Sequence, residues 1–268
     1  MIEKVKISVV TISFNQSSFL EETILSVINQ DYENFEYIII DGASKDGSVD
    51  IIKKYSSKLK FWTSEPDDGA AHALNKGFKH ASGDFLVYIN SDDILLPEAF
   101  SKFVNFYNAN SNYDVYYGNA VIINEGTKLI GKIFSDKWNT ELYALNGISI
   151  VQPSTFIRKS LFDLVGGFNT RNRSCWDGEL LVDIALAGGR MTRMPSTLSG
   201  FRIHSNSITG SGRLSALFLQ DCDRINEKIK LKIKVRPFTV LEIRCRKVFR
   251  DPYVVVSRAL AKIIYAGR

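Results

Sequence analysis

The sequence predicts an α/β fold, a mostly parallel sheet flanked by helices. Three observations carry that prediction. Apolar, β-branched runs alternate with amphipathic stretches through the first hundred residues. The runs end in polar clusters, at Thr11 to Asn15, Asp41 to Ser44, Glu65 to Gly69 and Asn90 to Asp93. Asp46-Gly47 and Asp68-Gly69 supply turns between them. Strand–helix alternation favours right-handed crossovers and parallel pairing, and such sheets bind ligands beyond their carboxyl strand ends.

The elements follow in order. Val5–Ser13 reads as a strand buried on both faces. Phe19–Asn29 sets Leu20, Ile24, Val27 and Ile28 on one helical face, with Glu21 and Glu22 in its first turn. Phe35–Asp41 is a strand ending in a carboxylate. Ser48 is placed to cap a helix over Val49–Tyr55. Lys60–Ser64 is a short strand, Ala70–Ala81 a helix and Phe85–Asn90 a strand. Pro97 opens a helix through about Asn108. Val115–Asn124 and Leu129–Phe134 flank Glu125-Gly126 as a hairpin. Asn139–Leu145 is a short helix, Gln152–Arg158 is extended, and Leu161–Val165 is a helix stopped by Gly166-Gly167. Gly178–Ala187 is an amphipathic helix, Arg193–Arg202 one or two strands, and Leu214–Lys234 a long helix.

Composition bounds the function. The 268 residues suffice for one large α/β domain with an appendage. No window approaches a membrane-spanning length, and MIEKVKISVV lacks a signal peptide's apolar core, so a cytoplasmic protein is expected. Cys175, Cys222 and Cys245 are odd in number and widely spaced, which fits reduced structural thiols. The net charge of +5 is unevenly spread. Residues 228–268 hold twelve basic and two acidic side chains, whereas the preceding 227 hold 22 and 27. An anionic membrane surface and nucleic acid both fit such a tail, but no nucleic-acid module is recognisable.

Asp92-Asp93 follows an apolar strand. Adjacent carboxylates repel unless a cation or hydroxyl partners them. A hard divalent metal, bound by carboxylate and diphosphate oxygens, would do so. A turn with a helix cap is the structural alternative.

In order, the runs ISVVTISFNQ, YIIIDGASKDGS, SEPDDGAAHALNKGF, GDFLVYINSDD, QPSTFIRKSLFDLVGGFN and WDGEL resemble the inverting glycosyltransferase family 2, of the GT-A fold. The resemblance covers about residues 5–205 and is closest to bacterial enzymes building O-antigen, capsule or exopolysaccharide. It implies a nucleotide-binding part over about 1–95 and an acceptor part over about 96–227, while the charge split marks 228–268 as a basic amphipathic extension. It also implies a nucleoside-diphosphate sugar donor, with uracil as the favoured base, and Mn²⁺ or Mg²⁺ as cofactor. Thr11 and Phe14 resemble the nucleoside-contacting pair, with Asn15 beside them; Asp41 resembles the carboxylate that binds the base, beside Ser44; Asp92 resembles the ribose contact and Asp93 the metal ligand. Ser91 stands where the family usually has an acid. His72 replaces a common Asp, and Leu74 an arginine before Asn75, for which Lys76 is a candidate replacement. Asp68 completes this group of candidate donor contacts.

An inverting transfer is one displacement, so the acceptor hydroxyl needs a base. Asp177 stands at the family's catalytic position, with Glu179 as the second candidate. Trp176, in place of the usual Glu, would stack on a sugar and desolvate the base. A plain helix N-cap is the alternative for Asp177. His204 matches a histidine after the last core strand, a third metal ligand or a phosphate donor, with Arg202 nearby. The Gly/Ser-rich loop Ser205–Arg213 is placed to fold over the donor, and Gln152 to border the acceptor.

The basic tail suits a peripheral enzyme on the inner face of the cytoplasmic membrane with a saccharide, or lipid-linked saccharide, as acceptor. Two other classes compete. A sugar-nucleotide nucleotidyltransferase would carry a Gly-rich basic loop after the first strand, where Thr11 to Asn15 stand instead. A non-catalytic carbohydrate-binding protein would not need Asp41, Asp93 and Asp177 together. A dehydrogenase is disfavoured because no GxGxxG follows the first strand.

Overall fold

The computed structural model describes residues 4–205, 207, 215–236 and 238–265. Its nine strands form one sheet in the order β3-β2-β1-β4-β8-β6-β9-β5, with β7 paired to β6. The first four are β1 (Ile7–Ser13), β2 (Phe35–Asp41), β3 (Phe61–Ser64) and β4 (Phe85–Asn90), all parallel. Beyond β4 the sheet is mixed. β8 (Thr155–Arg158) is antiparallel to β4 and to β6 (Val115–Ile123), and β6 is parallel to β9 (Met191–Arg202). β7 (Leu129–Ile133) completes the predicted hairpin with β6. β5 (Ile94–Leu95), too short for a period-2 signal, pairs with β9.

Period-2 alternation on the buried strands feeds two cores. Val9, Tyr37 and Ile39 face α1 (Ser17–Ile28), α2 (Ser48–Lys54) and α4 (Ala99–Ala109), meeting Leu20, Ile52 and Phe103. Val10, Ile38 and Ile40 face the other way, toward Leu74 and Phe78 of α3 (Ala70–Lys79), Phe162 of α6 (Lys159–Leu164) and Leu180 of α7 (Trp176–Leu186). A third cluster joins Val182 of α7 to Ile225 and Ile229 of α8 (Ser215–Lys232), beside Ala144 of α5 (Thr140–Ala144).

Three local expectations are corrected. α1 begins two residues earlier than predicted, so Glu22 lies past the first turn and pairs with Arg202. Ser48 lies inside α2, its hydroxyl donating to Asp46. Glu98, in the left-handed region, precedes α4, which starts at Ala99 rather than Pro97. The division at 227/228, drawn from charge, falls inside α8. The basic segment continues as α9 (Val240–Arg250) and α10 (Pro252–Ile264), and Lys228–Lys232 forms the end of α8, within the predicted long helix. Most of the predicted loop Ser205–Arg213 lies outside the described residues.

Candidate active site

A cavity of about 580 Å³ opens at the carboxyl ends of β1, β2 and β4, within the range of small-molecule sites. The residues after β1 and the start of α3 line one side; Asn172 to Asp177 line another.

On the first side, Phe14 leaves 64% of its surface exposed, an aromatic face at the cavity wall. Asn15 takes the left-handed conformation (φ 53°), which Asn tolerates. Its backbone N–H donates to Ser44 Oγ (2.8 Å), and its Oδ1 accepts from the Lys45 N–H (2.9 Å). The two loops are thereby latched together. Asp41 is fully enclosed. It accepts from the Ser44 N–H (2.8 Å), the Ser44 hydroxyl (2.5 Å) and the Ser64 hydroxyl (2.7 Å). Thr11 is fully buried and shares a hydrogen bond with the Tyr37 hydroxyl (2.8 Å). Thr11, Asn15, Asp41 and Ser44 therefore stand behind the lining rather than in it, whereas Phe14 and Asp92 line it. Gly42 fits the wall because a Cβ there would lie 2.8 Å from Asp67 Oδ2.

The Asp92-Asp93 turn is built from below by Arg202. Its Nε donates to the Asp92 carbonyl (2.7 Å) and its backbone N–H to Asp93 Oδ1 (2.8 Å). The buried guanidinium is otherwise spent on Glu22, Thr127 and the Asn124 and Glu125 carbonyls. Arg202 thus positions the turn and is not a free cation for a ligand. His204 Nε2 lies 3.0 Å from Asp92 Oδ2, which brings the predicted histidine to the Asp92-Asp93 turn.

Asp93 Oδ2 is buried and has no hydrogen-bond partner among the described residues. Burial, then the charge of Asp92, pushes the Asp93 carboxyl well above the usual carboxylate range. An orphaned anionic oxygen on a cavity wall fits a hard divalent cation. Among the described residues no cluster of three or more His, Cys, Asp or Glu is arranged to hold a metal. Asp93 would therefore share such an ion with ligand oxygens.

Asp177 sits in the first turn of α7, also on the cavity wall. Cys175 occupies the N-cap position, so capping is not the task of Asp177. A smaller apolar pocket, including Phe78, Leu180 and Leu181, lies against it. Burial raises its pKa, and a backbone hydrogen bond from Gly178 offsets part of that rise. Gly178 is required because the Tyr143 hydroxyl occupies the space of a Cβ. Trp176 is mostly buried, and its Nε1 donates to the Tyr88 hydroxyl (3.1 Å). Burial, then the charge of Asp177, pushes the Tyr88 phenol well above its usual range, so it stays protonated.

The remaining candidates separate. Gln152 lines the cavity and donates to the Tyr88 carbonyl (2.8 Å). Glu179 is withdrawn from the chemistry, because Arg224, Lys228, Asn169 and Asn172 all bind its carboxylate. Burial raises its pKa and those donors more than reverse it, leaving about 2. Asn75 is tied to both backbone groups of Phe168. Lys76 pairs with Glu65 (2.6 Å), and His72 Nδ1 accepts from the Asp68 N–H (3.0 Å). Asp68, His72, Asn75, Lys76 and Glu179 all lie outside the cavity lining.

Several lining side chains were given no role in the sequence analysis, among them Ser13, Asp67, Tyr88 and Arg173. Ser13 Oγ is a second buried polar atom without a hydrogen-bond partner among the described residues. Arg173 crosses to the Asp68 carbonyl, and Asp221 of α8 holds the backbone N–H groups of Arg173 (3.0 Å) and Ser174 (3.1 Å). A cation four residues before the candidate base was a readable signal; the inward turn of Tyr88 in an apolar strand was not.

A parallel nucleotide-type rim continued by a mixed half-sheet, with Asp67, Asp92, Asp93 and Asp177 on one cavity, defines a GT-A glycosyltransferase fold. The chain belongs to that class's family 2: residues 8–166 match the family described as Glycosyl transferase family 2. An uncharacterized Haemophilus influenzae glycosyltransferase is 29% identical over 181 residues, which cover 66% of this chain and 61% of the relative. Escherichia coli WfgD, a UDP-Glc:alpha-D-GlcNAc-diphosphoundecaprenol beta-1,3-glucosyltransferase, is 33% identical over 47% of this chain and 49% of its own. This chain thus spans about half to three fifths of these two relatives. Among solved structures, Staphylococcus aureus TarS 1-349 with UDP aligns at TM-score 0.65 and 19% identity, over 86% of this chain and 67% of its own. Pyrobaculum calidifontis mannosyltransferase PcManGT, with GDP-Man and Mn²⁺, aligns at 0.65 and 18% identity, over 98% and 76%. At such identities the structures establish the fold alone.

Proposed function

We propose that this chain is an inverting glycosyltransferase that moves a sugar from a UDP-sugar to a saccharide on a lipid carrier, in bacterial surface-polysaccharide synthesis. The observation that carries the reading is that Asp93, with its orphaned oxygen, and Asp177, with its raised pKa, line the same cavity. The UDP found with TarS and the diphosphoundecaprenol acceptor of WfgD support the choice of donor and acceptor.

In this reading Phe14 stacks on the base and Asp67 lies beside it. Asp93 would hold the divalent cation, Mn²⁺ or Mg²⁺. When bound, that ion stabilises the negative charge of the departing diphosphate. Arg173 is the lining cation left to add to it, since Arg202 is saturated. On the other side Asp177 takes the proton of the acceptor hydroxyl as its oxygen bonds to the anomeric carbon. The bond from that carbon to the diphosphate oxygen breaks with its electron pair, and the configuration inverts. A pKa raised by burial makes Asp177 a stronger base than an exposed aspartate. Trp176 and Tyr88 hold its apolar surroundings together.

A thermal-shift panel of UDP, GDP and dTDP, each with and without Mn²⁺, tests the donor assignment. UDP with Mn²⁺ is expected to stabilise more than UDP or Mn²⁺ alone. Preference for another nucleotide, or indifference to the metal, would overturn it.

A further inference from the structure

The last two helices form a face that the rest of the molecule leaves uncovered. Among the described residues, ten of the seventeen exposed large hydrophobic side chains fall between Leu231 and Ile264. On α10, Val256, Leu260 and Ile263 recur at helical spacing, with Leu260 52% and Ile263 73% exposed. On α9, Leu241, Val248 and Phe249 are exposed as well, Phe249 at 87%.

The opposite sides of the same helices are fastened to the body. Val254 is buried, and Asp251 pairs with Arg193 of β9. Lys247 and Arg258 both reach Asp136 (3.4 and 2.9 Å), and Arg250 donates to the Trp138 carbonyl (2.9 Å). The pair is docked, so its apolar stripe is not a core awaiting collapse.

Charge identifies what covers it. Lys230, Lys232, Lys234, Arg236, Arg244 and Lys262 are exposed, and their side chains have no ion pair among the described residues. The two acids of the segment are engaged: Glu242 closes a capping box with Thr239, and Asp251 is buried against Arg193. A second copy of this chain would bring the same excess of positive charge against it. Nucleic acid would match the cations but leave the apolar stripe wet. An anionic bilayer satisfies both, taking the stripe into its headgroup boundary and the cations at its surface. We infer that the α9–α10 face is a docking surface for an anionic lipid bilayer.

The surface also has an orientation. Asp136, gripped by Arg258, accepts from the Ser149 N–H (2.9 Å), and the same stretch runs on to Ile150 and Gln152, which line the pocket against Asp177. The lipid-facing helices therefore brace the wall on the side of Asp177. The docking itself goes beyond the transferase reading and needs no substrate to be observed.

The test is co-sedimentation of the full chain with vesicles of phosphatidylcholine alone and of phosphatidylcholine with phosphatidylglycerol. Anionic vesicles are expected to take up at least about tenfold more protein than neutral ones, with uptake falling as salt rises. Arg244→Glu with Lys262→Glu should lower uptake at least about tenfold, since each cation contributes about fivefold. Leu260→Ser with Ile263→Ser, which leaves the charge intact, should also lower it several-fold. All four positions are exposed, and far-UV circular dichroism checks that the helices persist. Equal uptake by both vesicle types, or wild-type uptake by both double variants, would overturn the proposal. So would self-association of the wild type in sedimentation velocity, lost with Leu260→Ser/Ile263→Ser, when vesicles take up nothing.

Discussion

Two buried carboxylates, one at the sheet rim and one at the α7–α8 interface, are treated in opposite ways. Glu179 is 1% exposed and receives four side-chain donors from Asn169, Asn172, Arg224 and Lys228. Asp93 is equally buried, yet one oxygen accepts the Arg202 N–H and the other has no hydrogen-bond partner among the described residues. The first is held near pKa 2 and the second is pushed well above its usual range, by burial and by Asp92. A structural acid is saturated by its own chain. An acid kept for a ligand is left unsatisfied, and the fold bears the cost.

The largest expected effect separates activity from stability at the rim. Asp93→Asn removes a desolvated charge beside Asp92, so the melting temperature should hold or rise. Metal-dependent UDP binding and turnover should fall by about 10²-fold or more, since a bound ion contributes several kcal/mol. Calorimetry with UDP and Mn²⁺ reads the loss; unchanged affinity would remove Asp93 from the metal site.

At the interface the sign reverses. Glu179→Gln should lower stability by about 3 kcal/mol and the melting temperature by roughly 5–10 °C. The pH dependence follows from the shift. The folded pKa of about 2 lies below the ordinary glutamate value of 4.5, so this stabilisation is present above 4.5. It is lost as the pH falls from 4.5 towards 2. Acid unfolding of the Gln variant should therefore be flatter across that window than that of the wild type. Identical acid transitions would mean that the network contributes nothing.

The smallest expected effect lies at the nucleoside wall. Phe14→Ala should weaken UDP about tenfold, the order of one base–aromatic stack, with little change in melting temperature because the ring is exposed. Unchanged UDP affinity would place the base elsewhere in the cavity.

The same division explains what could be read in the sequence. The parallel half was legible because its strands are apolar runs whose faces alternate, as Ile38 and Ile39 do in opposite cores. The Asp92-Asp93 turn and Asp177 were legible as acids at element ends. What escaped depends on partners far along the chain. Arg202 reaches Glu22, Asp221 reaches Ser174, and Lys228 reaches Glu179, and no local pattern announces such pairs. That is why Glu179 and Arg202 looked available to a substrate. Thr11 and Asp41 differ again: their polar side chains are hydrogen-bonded to the neighbouring strand and loop, behind the cavity lining. The outer helices α9 and α10 lay in a segment legible only as a basic amphipathic extension.

The central claim, that Asp93 and Asp177 serve one sugar nucleotide in separate roles, is tested most directly by Asp177→Asn in a paired measurement of UDP–Mn²⁺ affinity and sugar transfer. Affinity should stay within about twofold of wild type while transfer falls by about 10³-fold, the scale of a lost general base. Wild-type transfer should also decline on acidification at a pH above the ordinary aspartate range, because burial raises the Asp177 pKa and only its ionised form accepts the proton. Transfer by Asp177→Asn within about tenfold of wild type would contradict the account.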